Sequence, residues 1–202
     1  RDGAATAAIL DSDRIASAEI VNLRAVAALY PKPVHVLVPA TSTVASIADL
    51  RGKRIALSNV SSRAGEDVLR AHRLPASTLS TLVPLALPVA LDGLGNDRFD
   101  ALVVAARAPE ERIAAAVAAK SFRPLGLDSD AIALLTTGEN RYAAVKIPGR
   151  IYAGQPNPVT TIAIIATLIA PQSVPADEIA ALLKSLFGPM DYLGAGSAAG
   201  AF

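Results

Sequence analysis

The chain alternates short apolar runs with segments that carry helical spacing or helix-start signals, and the alternation continues through most of the sequence. Strands are predicted in apolar runs at 4–10, 34–38, 53–57, 82–87, 100–105 and 160–169. Helices are predicted between most of these runs, with proline at three of their starts and Gly188 after a helix over 175–187. Because such alternation produces layered α/β structures, we expect a mainly parallel sheet flanked by helices.

Three local patterns refine this prediction. Ser46 and Asp49 have the spacing of a capping box and predict a short helical turn. Glu110 and Glu111 follow Pro109, which places two carboxylates at the positive end of the next helix. Pro31 and Pro33 separate the apolar stretch 23–30 from the strand 34–38, and we expect them to break the strand.

Charge and cysteine content exclude several classes of function. Lys and Arg number 19 against 18 for Asp and Glu, so the net charge of +1 gives no general electrostatic attraction to nucleic acid. Cysteine is absent, which excludes structural thiolate–metal sites and cysteine nucleophiles. We therefore expect no nucleic-acid partner and no metal.

No catalytic pattern is present in the sequence. His35 alternates with valines and is predicted to be a packed residue, whereas His72 lies near a helix end, where a positive charge would suit the helix dipole. Neither a His-x-x-x-His pair, a G-x-S-x-G elbow nor a phosphate-binding loop occurs. The pair Asp11 and Asp13 is explained equally well by a solvated loop. We expect a protein without catalysis and without a cofactor.

The segment from Ile55 to Arg73 is the most informative for function. It is predicted to form a strand, a polar loop and a helix whose start exposes unpaired N–H groups, an arrangement that binds anions. Ser61 and Ser62 would add hydroxyl donors, Asn59 an amide, and Arg63 a guanidinium able to hold a carboxylate. The alternative is that a serine only caps the helix and Arg63 is solvated.

Further candidate ligand-binding residues follow other strands. Arg107 comes just after the strand 101–105, where ligands bind in open α/β sheets, although an exposed loop cation explains it equally well. Ser12 and Asp13 follow the first strand and are expected to close the site from the opposite side. Tyr30, whose polar tip ends an apolar stretch, is the third residue of that side.

Four segments of the chain resemble the TAXI-family solute receptors of TRAP transporters, and together they extend over nearly the whole sequence. They are VNLRAVAALYPKPVHVLV at 21–38, IADLRGKRIA at 47–56, IPGRIYAGQ at 147–155, and the helix 177–187. The first and third are the more specific, because the Asp-Leu-x-Gly-Lys element of the second is common to many periplasmic binding proteins.

The resemblance implies a fold, a ligand class and a partner. The expected fold is a two-lobed type II periplasmic binding protein with mixed sheets flanked by helices, closing on a small carboxylate or amino acid. One lobe would combine residues 1–40 with 159–202, and the other would comprise 41–158. Ser12, Asp13 and Ser62 align with family residues, whereas Arg63 replaces a small residue. The family's first lobe begins with further strands, so this lobe is expected to be incomplete here.

Three functional hypotheses follow. The leading one is an extracytoplasmic solute-binding protein that delivers its ligand to the membrane components of a TRAP-type transporter. The second is a sensing or scaffold domain on the same fold, and the third is an enzyme of unknown type. The chain starts with Arg1 rather than Met, so we also expect a signal peptide removed upstream, with the protein free in the periplasm or anchored through a segment outside this sequence.

Overall fold

The computed structural model describes residues 6–15, 22–58, 62–120, 122–137 and 141–188, with Ser62 and Lys120 described by their backbone alone. The strands are β1 (Ala8–Asp11), β2 (Leu23–Pro39), β3 (Arg54–Ser58), β4 (Thr81–Leu85), β5 (Ala101–Ala105), β6 (Phe122–Leu125), β7 (Tyr142–Ile147) and β8 (Val159–Pro171). The helices are α1 (Ser12–Ile15), α2 (Ser62–Ala71), α3 (Leu87–Gly95), α4 (Glu111–Lys120), α5 (Ser129–Thr136) and α6 (Ala176–Phe187).

The strands pair in the order β1-β8-β2-β5-β3-β4, with β6 also beside β2 and β7 also beside β8. Strand β3 runs parallel to β4 and β5, whereas the pairs made by β2 and β8 are antiparallel. The mixed α/β class expected from the sequence is therefore confirmed, but the expectation of a mainly parallel sheet is wrong. Parallel pairing is confined to the units in which helices α2 and α3 connect strands, because a parallel neighbour needs such a crossover.

The prolines of β2 do not break it, contrary to the sequence-based expectation. Residues 23–33 pair with β8, and residues 34–39 pair with β5 and β6 on one continuous strand. The carbonyl of Pro33 accepts a hydrogen bond from Ala106 N–H at 3.1 Å, so its nitrogen side faces away from β8. Pro31 has the same orientation because strand orientation repeats every two residues. The missing N–H groups therefore interrupt no bond to β8, and the strand tolerates both prolines.

Two apolar clusters cover the two faces of the β3–β5 region. Ile55, Leu57 and Val103 belong to one cluster, and Ala56 and Leu102 to the other. The alternation follows the two-residue period of strands and explains why these strands read as uninterrupted apolar runs. Helix α2 packs in the first cluster, and α3 and α4 pack in the second.

Several local predictions can be compared with the structure directly. The carboxylate of Asp49 accepts the N–H of Ser46 at 2.8 Å, which confirms the capping interaction. The expected helix end at Gly188 is confirmed by its φ of +77°. The sequence analysis does not include helix α5, although Asp128 at its N-cap and Asp130 in its first turn are typical of helix starts. Its eight residues are too few to show a clear apolar repeat.

The division into two lobes stays a prediction. The change of partner along β2 lies between Pro33 and Val34, before the lobe boundary that is expected after residue 40. Within the part of the chain that the structure describes, none of the helices is long and apolar enough to span a membrane.

Candidate functional site

Strands β1 and β7 meet end to end along one edge of β8, and Ser12 joins them. Asp11 of β1 pairs with Ala166, and Tyr142 of β7 pairs with Ile164. In the gap between them, the hydroxyl of Ser12 accepts the N–H of Ile165 at 3.0 Å and donates to the carbonyl of Arg141 at 2.5 Å. Ser12 therefore fixes the place from which Asp13 projects.

Asp13 is 3% exposed and lies in the four-residue helix α1. Burial, followed by repulsion from Asp11, raises the pKa of its carboxyl, and the positive charge of Arg63 is among the influences that lower it. Arg63 is exposed in the first turn of α2. Asp13, just after β1, and Arg63, at the start of α2, therefore lie close enough for their charges to interact.

The interpretation of Asp11 and Asp13 as a solvated pair is wrong. The carboxylate of Asp11 forms an ion pair with Lys32 at 2.7 Å, and the Asp13 side chain is buried. Both carboxylates lie at the β1–β7 junction, where the sheet and α1 remove them from water. Burial of this kind is costly unless charged or polar groups compensate.

Tyr30 and Arg107 contact each other. The Arg107 guanidinium lies 5.4 Å from the centre of the Tyr30 ring, a cation–π contact. Tyr30 and Asp11 pair with Ala166 from its two sides. Their strands are therefore about 10 Å apart, twice the usual strand spacing. This places the Arg107–Tyr30 pair across β8 from the β1–β7 junction.

Of three further predicted site residues, the structure describes only one, and that one only by its backbone. Asn59 and Ser61 lie outside the described residues, and of Ser62 only its backbone position as the first residue of α2 is described. Since β3 and β5 are parallel neighbours, Ser58 and Ala105 end their strands at the same edge of the sheet, and Arg107 follows Ala105 closely. The expected helix-start site and Arg107 are therefore on one side of the sheet.

Sequence reasoning missed a hydrogen-bonded pair next to this site. The Tyr142 hydroxyl donates to the Asp67 carboxylate at 2.7 Å, and Arg70 contacts the other oxygen of Asp67 at 2.6 Å. Burial and the Asp67 carboxylate raise the pKa of Tyr142, so its hydroxyl stays protonated. Asp67 is four residues after Arg63 and shares its helix face, a spacing that could have indicated it. No local signal links it to Tyr142, 75 residues away.

These residues border a groove between α2, α5 and the start of β7. Its volume is about 390 Å³, and Asp67, Arg70, Leu134, Leu135, Arg141 and Tyr142 are among the residues that line it. We call it the α2–α5 groove. Its size falls within the range of about 300–1,000 Å³ that small-molecule sites occupy.

The two histidines have structural roles. His35 is fully buried, with Nδ1 3.0 Å from the Pro33 carbonyl and Nε2 3.0 Å from the Tyr152 hydroxyl. This confirms that His35 is a packed residue. His72 accepts the N–H of Asp128 on Nε2 at 3.2 Å while Nδ1 faces the Val68 carbonyl at 2.8 Å. Its ring therefore connects α2 to the start of α5.

The family comparison covers almost the entire sequence. A model described as the NMT1-like family matches residues 3–201. The chain belongs to the NMT1-like family. Among curated proteins, no match to this NMT1-like chain was found.

Solved structures match the NMT1-like chain in fold. The periplasmic aliphatic sulphonate-binding protein SsuA of Escherichia coli has a TM-score of 0.59 at 17% identity over 91% of this chain and 53% of its own. The alkanesulfonate-binding protein SsuA of Xanthomonas axonopodis pv. citri has a TM-score of 0.54 at 19% identity, over 92% of this chain and 54% of its own. Protein AF1704 of Archaeoglobus fulgidus has a TM-score of 0.53 at 11% identity, over 92% of this chain and 56% of its own.

The fold is therefore that of type II periplasmic binding proteins, as the sequence predicted. The NMT1-like chain spans slightly more than half of the length of each of these three structures. None of the three is described as a TAXI receptor, so the TAXI subtype stays a prediction.

Proposed function

We propose that this NMT1-like chain is the ligand-binding part of an extracytoplasmic solute-binding protein, and that it delivers a small carboxylate or amino acid to a membrane transporter. The observation that carries the proposal is the charge interaction between Asp13, just after β1, and Arg63, at the start of α2, on this fold. The likeness of the fold to sulphonate-binding proteins of the periplasm supports the same class of function.

The ligand would bind between the start of α2 and the end of β1. Helix α2 has ten residues, so its first turn offers unpaired N–H groups and the positive end of a helix dipole. Ser62, with Ser61 and Asn59, would contribute further donors there. Arg63 or Arg107 would balance the negative charge, and Tyr30 would hold the Arg107 guanidinium in place through its ring.

Asp13 favours an amino acid over a simple carboxylate as the ligand. A buried carboxylate repels a second carboxylate, whereas a ligand ammonium group would compensate its charge. The hydroxyl of Ser12 is already engaged with Arg141 and Ile165. We therefore assign Ser12 the positioning of Asp13 in addition to any contact with the ligand.

The type of transporter rests on the sequence resemblance alone, which points to membrane components of the TRAP type. Location in the periplasm, and a signal peptide or anchor encoded upstream of Arg1, rest on the same resemblance together with the fold. Sequencing of the gene upstream of Arg1 would test this part of the proposal. A start codon directly before Arg1 would overturn it.

A thermal-shift screen with amino acids and small carboxylates tests the binding function. A ligand present at 100 times its Kd raises the free energy of unfolding by about 2.7 kcal/mol, which a shift in Tm detects. Calorimetry on the strongest ligand should then show that Ser62→Ala costs about 1.5–3 kcal/mol of affinity, the value of a hydrogen bond to a charged group. Asp13→Asn should lower the affinity for amino acids more than the affinity for the corresponding carboxylates that lack the ammonium group.

Separate replacement of Arg63 and Arg107 by glutamine identifies the partner of the ligand carboxylate. Arg112→Gln, on the exposed side of α4, is the matched control and should leave the affinity unchanged. Unchanged affinity in Ser62→Ala, Arg63→Gln and Arg107→Gln would overturn the site. Absence of any binding in the screen would favour the sensing or scaffold hypothesis instead.

A further inference from the structure

The α2–α5 groove presents more hydrogen-bond donors than acceptors. Asp67 is the carboxylate among its lining residues, and its two oxygens already accept from Tyr142 and Arg70. A guanidinium carries five N–H donors, and the contact with Asp67 engages Nη1 of Arg70. Arg70 is 64% exposed, so its remaining donors can reach a second acceptor. Arg141, which directly precedes β7, adds a second positive charge to the lining of the groove.

Apolar side chains form the rest of the wall. Leu134 is 65% exposed at the end of α5, and Leu135 and Ala71 lie beside it. A large exposed leucine next to a polar pocket is suited to covering the aliphatic part of a bound molecule. The groove therefore combines a cationic end with an apolar end.

The groove is separate from the site at the start of α2. Arg63 and Arg70 lie seven residues apart on one helix, which corresponds to about 10 Å at the usual rise per residue. A small anion held at Arg63 would not reach the far half of the groove. The two places can consequently be occupied, and tested, independently.

We propose that the α2–α5 groove is a second binding site, which takes a short aliphatic organic anion with its charged head on Arg70 and Arg141 and its chain on Leu134 and Leu135. The tyrosine–aspartate pair in the groove supports this assignment. Tyr142 keeps its proton and donates a hydrogen bond to Asp67, so the negative charge that would repel an anion is partly offset. The site is distinct from the one in the proposed function and does not depend on it.

Methyl NMR titration with pentanoate tests this site, because the methyl shifts of Leu134 and Leu135 report on the groove and not on the start of α2. Pentanoate should shift the resonances of these methyl groups. The affinity obtained from the shifts should be higher for pentanoate than for acetate, which lacks the chain, and than for 1-pentanol, which lacks the charge. Arg70→Gln should lower the affinity for pentanoate about tenfold, which is the effect of losing one charge-assisted hydrogen bond. Arg112→Gln, the matched control, should leave the titration unchanged.

A variant with the opposite expected sign separates binding from general damage to the groove. Asp67→Asn keeps the shape but removes the charge that competes for Arg70, so pentanoate should bind about twofold to fivefold more tightly. Thermal unfolding of each variant checks that it is folded. Pentanoate shifts confined to residues outside the groove, or equal affinity in wild type and Arg70→Gln, would overturn the second site.

Discussion

At the scale of single residues, His35 shows how burial decides the protonation of a side chain. It lies in β2 with no exposed surface, between the Pro33 carbonyl and the Tyr152 hydroxyl. Burial lowers the pKa of its imidazole from 6.5 to about 4. Tyr152 also accepts the N–H of Glu110 at 3.2 Å, so its hydroxyl can donate to a neutral His35. The polar groups are thus satisfied without a charge.

Stability should therefore fall in acid through His35. In the unfolded chain its pKa is ordinary, so between about pH 6.5 and 4 the unfolded state binds the proton that the folded state refuses. The contribution of neutral His35 to the free energy of unfolding is present above pH 6.5, and about 2–3 kcal/mol of that free energy should be lost by pH 4.5. Urea denaturation at pH 7.5 and 4.5 measures this loss.

His35→Gln is the matched control for the acid effect. Glutamine does not titrate, whereas the carboxylates titrate in the wild type and in the variant alike. The loss between the two pH values should be about 2–3 kcal/mol smaller in the variant. An equal loss in both proteins would show that His35 is not the responsible group.

At the scale of secondary-structure elements, the start of α4 shows which of two adjacent carboxylates acts as a cap. The sequence predicted that both Glu110 and Glu111 favour the positive end of the helix. In the structure Glu110 precedes the first helical residue, and its Oε2 accepts the N–H of Ile113 at 2.8 Å. Glu111 is the first helical residue and is exposed. A hydrogen bond to a free N–H adds to the dipole interaction that both share.

The two glutamates should therefore differ in their effect on stability. Glu110→Ala removes a capping bond and should lower the free energy of unfolding by about 1 kcal/mol. Glu111→Ala removes an interaction with the dipole alone and should cost about 0.3 kcal/mol. Chemical denaturation of both variants under one condition gives the comparison, and losses of the same size would contradict the capping assignment.

At the scale of the whole molecule, the packing of α2 on the sheet sets the position of the candidate site. Gly65 is the fourth residue of α2 and lies directly above β3 and β5. A Cβ atom at this position would be 2.7 Å from Leu57 Cδ2 and 3.3 Å from Val103 Cγ1. Both leucine and valine are buried in the core, so the helix approaches the sheet closely because residue 65 has no side chain. The same helix carries Ser62 and Arg63 at its start and Arg70 near its end.

Gly65→Ala should consequently change both stability and binding. Overpacking at this contact should lower the free energy of unfolding by about 1–3 kcal/mol. Displacement of α2 should lower the affinity for the ligand found in the thermal-shift screen. Adding Leu57→Val shortens the clashing side chain and should recover part of both losses. Denaturation and calorimetry on the single and double variants measure the two effects. A stable Gly65→Ala protein with normal affinity would refute the role of this contact.

The sequence alone determined the elements with strong local signals. The strands buried on both faces, the turn at Ser46–Asp49 and the end of α6 at Gly188 follow from apolar runs, side-chain caps and glycine conformation, all of which act within a few residues. The packed role of His35 followed from its valine neighbours. The type II fold followed from family resemblance and is supported by the matched structures.

Only the tertiary structure decided which distant residues meet. The continuity of β2 through Pro31 and Pro33 depends on which edge faces β8, and the antiparallel pairs depend on how β2 and β8 lie together. The contact of Tyr142 with Asp67 and the influence of Arg63 on Asp13 join segments with no shared local pattern. Backbone propensity and caps act over a few residues, whereas electrostatic and packing interactions act through space and are fixed only when the sheet has formed.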